Sequence, residues 1–241
     1  AVKSLINVTR ENKFCVSLID GVTGSGKTEV YFEVIAEVLK KGLQVLILVP
    51  EIALARPFIE RFSKRFGAAP VEWHSELPTK KRRQIWRAIL EGKVNVLVGA
   101  RSALFLPFPN LGLLVVDEEH ESAFKQMEGS RYHARDMSIL RAKCSDIPII
   151  LASATPSLET LHNSETGRFK KVSLSQRYGE ASLPKVELID IRSNENRNGS
   201  WISPILQKAI HATIEREEQV LLFLNRRGYA PLNICKVCGH R

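Results

Sequence analysis

At 241 residues and 44% apolar side chains, the chain has enough material for at least one full hydrophobic core. No apolar run approaches the roughly eighteen residues that a membrane-spanning helix requires, so a membrane role is not expected. Lys and Arg outnumber Asp and Glu by 35 to 26, a formal charge of +9 with a pI near 9.5. Such an excess favours a polyanionic partner, because each cation that neutralises a phosphate releases a counterion. Solubility alone would account for it equally well, so the charge serves only as support. The residues after Ala1 lack the charged and then apolar segments of an export signal, and a cytoplasmic setting is expected.

Five nearly continuous apolar runs then alternate with amphipathic stretches. Residues 14–19, 45–49, 94–98, 113–116 and 147–152 lack the polar alternation of a half-exposed strand, so they are expected as strands buried on both faces of a parallel sheet. Residues 29–41, 58–66 and 78–91 carry helical periodicity, and each is followed by a glycine, Gly42, Gly67 or Gly92, as a C-terminal cap requires. The order is that of a doubly wound α/β fold. Beyond Ser157 the rhythm changes: a strand is expected at 186–189, an exposed loop over 193–200, a helix over 204–216 with Ser203 as its N-cap, and a new buried strand at 220–224. The last two read as the opening of a second α/β domain. Cys15 and Cys144 stand singly in apolar surroundings and are expected as small core residues in a reducing compartment.

Gly21, Val22, Thr23, Gly24, Ser25, Gly26, Lys27 and Thr28 match G-x-x-x-x-G-K-S/T without a gap. The motif follows a strand and opens a helix, which is the context a phosphate-binding loop needs. Small residues let backbone N–H groups wrap a phosphate, and the helix N-terminus adds its positive end. Lys27 is expected to reach the β- and γ-phosphates, and Thr28 to hold Mg²⁺ through its hydroxyl. So far a small-molecule kinase would look the same.

Residues 113–116 run straight into Asp117, Glu118, Glu119 and His120. A buried strand that delivers carboxylates at its C-terminal end places them where ligands bind in parallel sheets. Asp117 there can hold the Mg²⁺ shell, and Glu118 can take a proton from an attacking water, so hydrolysis replaces transfer to an acceptor. The D-E-x-H form resembles that of superfamily 2 helicases. Ser153, Ala154 and Thr155 follow another apolar run and resemble the S-A-T motif that couples hydrolysis to lobe movement, with His120 as the expected link. The Asp117 and Ser153 segments are then expected to end neighbouring strands.

The segments GVTGSGKTEVY (21–31), VPEIA (49–53), GARSALF (99–105) and VLLFLNRRGYAP (220–231) sharpen the resemblance. Together with the acidic box they resemble the PriA-type replication-restart helicases over nearly the whole chain. Related translocases share the first motif and S-A-T but lack the NRRGYAP stretch. The resemblance implies a RecA-like first helicase lobe over residues 1–175, a connecting segment at 176–219, the first strand of a second lobe within 220–234, and the start of a zinc-binding insertion at 235–241. It implies an ATP-dependent 3′-to-5′ DNA helicase acting at stalled forks, with primosome proteins and single-stranded DNA-binding protein as partners of the intact protein. Two alternatives stay open: another superfamily 2 translocase, or a fork-binding scaffold whose ATPase is dispensable.

In that family the segments around Pro50 and Glu51 and around Arg101 and Ser102 face the tracking strand, where hydroxyls, amides and an Arg position DNA without reading sequence. Arg101 is equally readable as a surface charge. Lys80, Lys81, Arg82 and Arg83 open a helix against its dipole; a bound anion is one reading, a solvated face the preferred one. Trp73, Trp86 and Trp201 are candidate stacking platforms, with core or interface packing the preferred reading. Cys235 and Cys238 form C-x-x-C, two of the four ligands structural zinc needs; the resemblance implies further cysteines in the intact protein, and this chain is expected to bind no stoichiometric zinc. Arg226 and Arg227 are not the family's usual arginine finger, and residues 1–6 resemble the stretch just past an adenine-contacting segment. Weak ATP binding, near-background hydrolysis and no unwinding are expected of this piece.

Overall fold

The computed structural model describes residues 2–10, 13–50, 56–177, 184–190 and 202–223. They divide into two compact units, Ala1–Ala181 and Ser182–Arg241.

In the first unit seven parallel strands form one sheet. In chain order they are β1 (Cys15–Gly21), β2 (Gln44–Leu48), β3 (Val71–Trp73), β4 (Val96–Gly99), β5 (Leu111–Asp117), β8 (Pro148–Ser153) and β9 (Lys170–Leu174). Their spatial order is β3-β4-β2-β5-β8-β1-β9. Two short strands, β6 (Lys125–Gln126) and β7 (Tyr132–His133), pair antiparallel outside this sheet. The helices are α1 (Val2–Arg10), α2 (Lys27–Lys40), α3 (Arg56–Phe66), α4 (Thr79–Leu90), α5 (Ala134–Cys144) and α6 (Leu158–Glu165). Among the described residues no helix is long and apolar enough to cross a membrane.

The uninterrupted apolar runs have a direct cause: successive side chains of each central strand enter different cores. Val45, Ile47, Val96, Val98, Leu113 and Val115 join a core roofed by α1, α2 and α3. Leu46, Leu48, Leu97, Leu114 and Val116 join the opposite core, where Ile89 of α4 and Ala134 and Ala142 of α5 pack. On the first face Phe32 of α2 meets Phe62 of α3 edge to face at 5.5 Å, and Phe62 stacks on Phe66 at 4.3 Å. The glycines expected after α2, α3 and α4 turn the chain with φ of 70, 74 and 72°, and each amide bonds a carbonyl of the helix it ends, such as Gly42 N to Leu39 O at 2.9 Å.

The α/β class and the five central strands agree with the sequence reading, with shifts of one or two residues at their ends. Two expected strands are corrected. Residues 186–189 form none; Leu188 is 96% exposed. Residues 220–223 form none either, and Phe223 is 84% exposed, while position 224 lies outside the described residues. An apolar run becomes a strand only where another strand accepts its N–H and C=O groups, and among the described residues neither segment has such a neighbour. The expected helix forms as α7 (Pro204–Glu215), with the Ser203 hydroxyl accepting from the Leu206 amide at 3.1 Å. Neither cysteine is the core residue expected: Cys144 is exposed at the last position of α5, and Cys15 is only partly buried at the first position of β1. Trp73 packs as expected at 6% exposure, whereas Trp86 is 44% exposed; Trp201 and the loop at 193–200 lie outside the described residues.

Gly99 shows how tightly the β3–β4 end is built. It pairs with Trp73 on one side and Leu48 on the other, and a Cβ there would lie 2.5 Å from Ala103 Cβ and 2.9 Å from the Trp73 carbonyl oxygen. Gly99→Ala is therefore expected to destabilise the fold by roughly 1–3 kcal/mol, the usual cost of overpacking. Urea unfolding measures this, and an unchanged midpoint would contradict the crowding.

Candidate active site

Because the seven strands run parallel, their C-terminal ends share one edge, where open α/β sheets bind ligands. β1 delivers the 21–28 turn there, β5 delivers Asp117 and β8 delivers Ser153. β8 lies between the other two, and Asp117 pairs with Ala152, so the acidic box and the Ser153 segment end neighbouring strands.

The turn is a preformed cradle. Gly26 takes φ 84° at the start of α2, with no side chain capping the helix, which leaves first-turn amides directed at the space in front of them. The Ser25 hydroxyl is buried without a hydrogen-bond partner. Lys27 is buried and donates from Nζ to the Gly21 carbonyl at 2.8 Å. A Cβ on Gly21 would stand 2.6 Å from Ser25 Oγ and 3.1 Å from Lys27 Cγ, so glycine is required for the lysine to fold back over the turn. Unclaimed amides, an orphaned hydroxyl and a buried ammonium together fit the phosphates of a nucleotide.

The carboxylates are tied to this cradle through a residue to which the sequence reading gave no role. Tyr31, fully buried one turn into α2, donates its hydroxyl to Asp117 Oδ2 at 2.9 Å, and Thr28 faces the same phenol. The Glu118 amide donates to Asp117 Oδ1 at 3.1 Å. Glu118 itself has φ 49°, an uncommon conformation for a residue with a side chain, and its carboxylate stands 3.6 Å from His120 Nδ1. His120 Nδ1 shares a 2.7 Å hydrogen bond with Ser153 Oγ, which in turn accepts from the Thr155 amide at 3.0 Å. Ala154 continues the turn between them.

Glu119 was also passed over. Its side chain is 0% exposed, yet its carboxylate accepts from the Ser157 amide at 2.8 Å, Thr160 Oγ1 at 3.1 Å and Arg135 Nη1 at 3.1 Å. A buried charge persists only when paired and hydrogen-bonded in this way. Its amide also bonds the Ala152 carbonyl, so one residue fastens the end of β5 to β8, α5 and the start of α6. No motif spacing marks it, since its partners come from segments far apart in sequence.

The other expected positions lie elsewhere. Arg101 and Ser102 open a short 3-10 turn after β4, two strands beyond Asp117 across β2. Arg101 Nη1 donates to the Lys125 carbonyl at 2.6 Å, and Ser102 Oγ accepts from the Trp73 indole at 3.1 Å. Pro50 is partly buried just after β2, while Glu51, Arg226, Arg227, Cys235 and Cys238 lie outside the described residues.

Burial lifts the Asp117 carboxyl above its ordinary range, with repulsion from Glu118 adding to the effect, while the hydrogen bonds from Tyr31 and the Glu118 amide and the charge of Lys27 oppose it. A carboxylate whose pKa is raised by folding weakens the fold once it ionises, and the penalty vanishes in acid where folded and unfolded chains are both protonated. Asp117→Asn is therefore expected to raise the Tm at neutral pH and to match the unsubstituted chain below the ordinary carboxylate range. Equal Tm values at neutral pH would contradict this.

Comparison with known proteins agrees with this geometry. Over 225 residues the chain is 52% identical to the Replication restart protein PriA of Rickettsia felis, covering 93% of this chain and 35% of that protein. Over 226 residues it is 44% identical to the protein of the same name from Bacillus subtilis, covering 93% of this chain and 28% of that one. The chain thus spans about a third of the length of the curated relatives it matches, and the resemblance read in the sequence is borne out. The structure of RecG bound to a three-way DNA junction superposes with a TM-score of 0.53 at 20% identity, covering 73% of this chain and 24% of that one, a likeness of fold. Residues 3–164 match the family described as DEAD/DEAH box helicase. The chain belongs to the DEAD/DEAH box helicase family.

Proposed function

We propose that this chain is the ATP-binding lobe of an ATP-driven 3′-to-5′ DNA helicase that acts in replication restart. The observation that carries the reading is the joining of the phosphate cradle to the acidic box through the Tyr31–Asp117 hydrogen bond, in a chain about half identical to replication restart proteins.

The amides of Gly24 and Gly26 and the N-terminus of α2 hold the phosphates, with the Ser25 hydroxyl beside them, while the Ser25 amide closes the turn onto the Val22 carbonyl at 3.0 Å. Val22 and Thr23 form the near side of the turn and Gly21 its floor. Lys27 exchanges the Gly21 carbonyl for phosphate oxygens, trading a neutral acceptor for a charged one. Thr28 and Asp117 would hold Mg²⁺, which would supply neutralisation of charge on the transferring phosphoryl group. Glu118 takes the proton of the attacking water. His120 passes the change to Ser153, Ala154 and Thr155 through the bond it makes to Ser153. Pro50, Glu51, Arg101 and Ser102 bear on the DNA backbone; Arg101 commits one of its five guanidinium N–H groups to Lys125 and keeps the rest for phosphates.

The intact protein adds a second lobe with the arginines that neutralise the γ-phosphate. It also completes a zinc site begun by Cys235 and Cys238. Primosome proteins and single-stranded DNA-binding protein are its partners. The isolated chain turns over little ATP, and DNA does not stimulate it, whereas the intact protein responds.

Titration with a fluorescent ATP analogue, with and without Mg²⁺, tests the site. Lys27→Ala is expected to weaken binding by about 10- to 100-fold, the worth of charge-assisted hydrogen bonds. Tyr31→Phe is expected to weaken only the Mg²⁺-dependent part, by about 2- to 10-fold, the net worth of one hydrogen bond. Identical affinities for Lys27→Ala and the unsubstituted chain would remove the nucleotide from the turn and the motor reading with it.

A further inference from the structure

Helix α4 carries a feature that its packing does not use. Its buried side consists of Ile85, Ala88 and Ile89, which meet the sheet core. One flank presents Thr79, Arg82, Arg83 and Trp86 at helical spacing, and with Trp73 at the end of β3 these line a cleft of about 350 Å³, within the size range of small-ligand sites. Its two sides differ. The Arg82 guanidinium lies 5.1 Å over the Trp73 ring, and the Trp73 indole is fixed by Ser102, so that wall is rigid. Arg83 and Trp86 are exposed. Among the described residues none of Lys80, Lys81, Arg82 and Arg83 forms an ion pair, although all four crowd a helix N-terminus that disfavours positive charge.

We propose that this cleft holds an unpaired nucleotide of a DNA strand, its base stacked on Trp86 and its phosphate against Arg83 and Thr79. An indole face beside unpaired cations is the pairing that binds single strands without sequence preference: stacking accepts any base, and guanidinium groups track the backbone. Position favours the same occupant. β3 is an edge strand of the sheet, and the cleft opens from its C-terminal end, the edge that also bears Arg101 and Ser102. The Trp73–Ser102 bond makes the two surfaces continuous, so a strand crossing the 101–102 turn reaches α4 next. The inference rests on the reading of the chain as a DNA-helicase lobe, and it adds a base-stacking contact to a path otherwise made of backbone contacts.

Anisotropy of a short fluorescein-labelled oligo(dT), titrated with the chain, tests the proposal. Trp86→Ala is expected to weaken binding on the order of ten-fold, with Trp86→Phe within about three-fold of the unsubstituted chain because a smaller aromatic face remains. An abasic oligomer of the same length should bind both variants and the unsubstituted chain alike. Arg83→Gln should lower the slope of log affinity against log salt by about 0.7, one phosphate contact on a single strand. Binding of the ATP analogue should be unchanged in all three variants, which separates loss of the contact from loss of the fold. Oligo(dT) affinity unaltered in Trp86→Ala would overturn the cleft and leave the helicase reading standing. An unsubstituted chain that binds the nucleotide but no oligo(dT) would overturn the cleft together with the DNA contacts proposed for Arg101 and Ser102.

Discussion

Seven strands running the same way put seven loops on one edge of the sheet, and that constraint governs everything the chain does. β1 and β5 do not touch, because β8 separates them; two strand spacings, roughly 10 Å, stand between the phosphate cradle and the acidic box. A side chain of ordinary length on either strand end cannot close that gap alone. Helix α2 closes it by leaving β1 through the glycine turn and carrying Tyr31 back across the sheet, where its hydroxyl meets Asp117. The strand between them brings in a third party: Ser153 at its tip bonds His120, which ties the acidic box to the segment that leads into α6.

This arrangement concentrates unfavourable electrostatics in a small volume and offsets them by hydrogen bonding. Asp117 and Glu118 are adjacent carboxylates, and Glu118 stands in a strained backbone conformation. Glu119, next in line, turns inward and is fully satisfied by Arg135, Ser157 and Thr160. Three consecutive acids therefore have three fates: one held toward the cradle, one presented outward, one buried as a fastening. The buried one keeps the strand end rigid while its neighbours remain available for chemistry.

The sequence made the framework legible wherever a residue's surroundings were local. Gly21 to Thr28 declare a phosphate loop because each position serves a turn or a helix start, and the runs at 45–49 and 113–116 declare buried strands because both their faces are covered. What stayed hidden depended on partners distant in the chain. Tyr31 and Phe32 look alike as apolar residues of α2, yet only Tyr31 finds a carboxylate, contributed from β5. β3 was missed because Val71–Trp73 is too short to show a period, and β9 because Lys170 and Lys171 disguise an edge strand whose outer side needs no apolar cover. The opposite error came from composition taken without neighbours: residues 186–189 suggested a strand and 220–224 a buried one, and nothing among the described residues pairs with 186–189 or 220–223. Trp86 shows the same dependence on neighbours: core or interface packing was the expected reading, and at 44% exposure the helix rules out the core half of it.

The ammonium of Lys27 resting on the carbonyl of Gly21 bears on which molecules enter the cradle. Until a ligand arrives, that positive charge is already engaged with a neutral oxygen of its own chain, so a lone inorganic anion must displace it while offering few contacts in return. On the proposed reading a polyphosphate tail would engage the turn amides and the helix start at the same time, and the exchange at the lysine would be one step of a larger gain. The clasp would then set a threshold that depends on the number of phosphates rather than on charge alone.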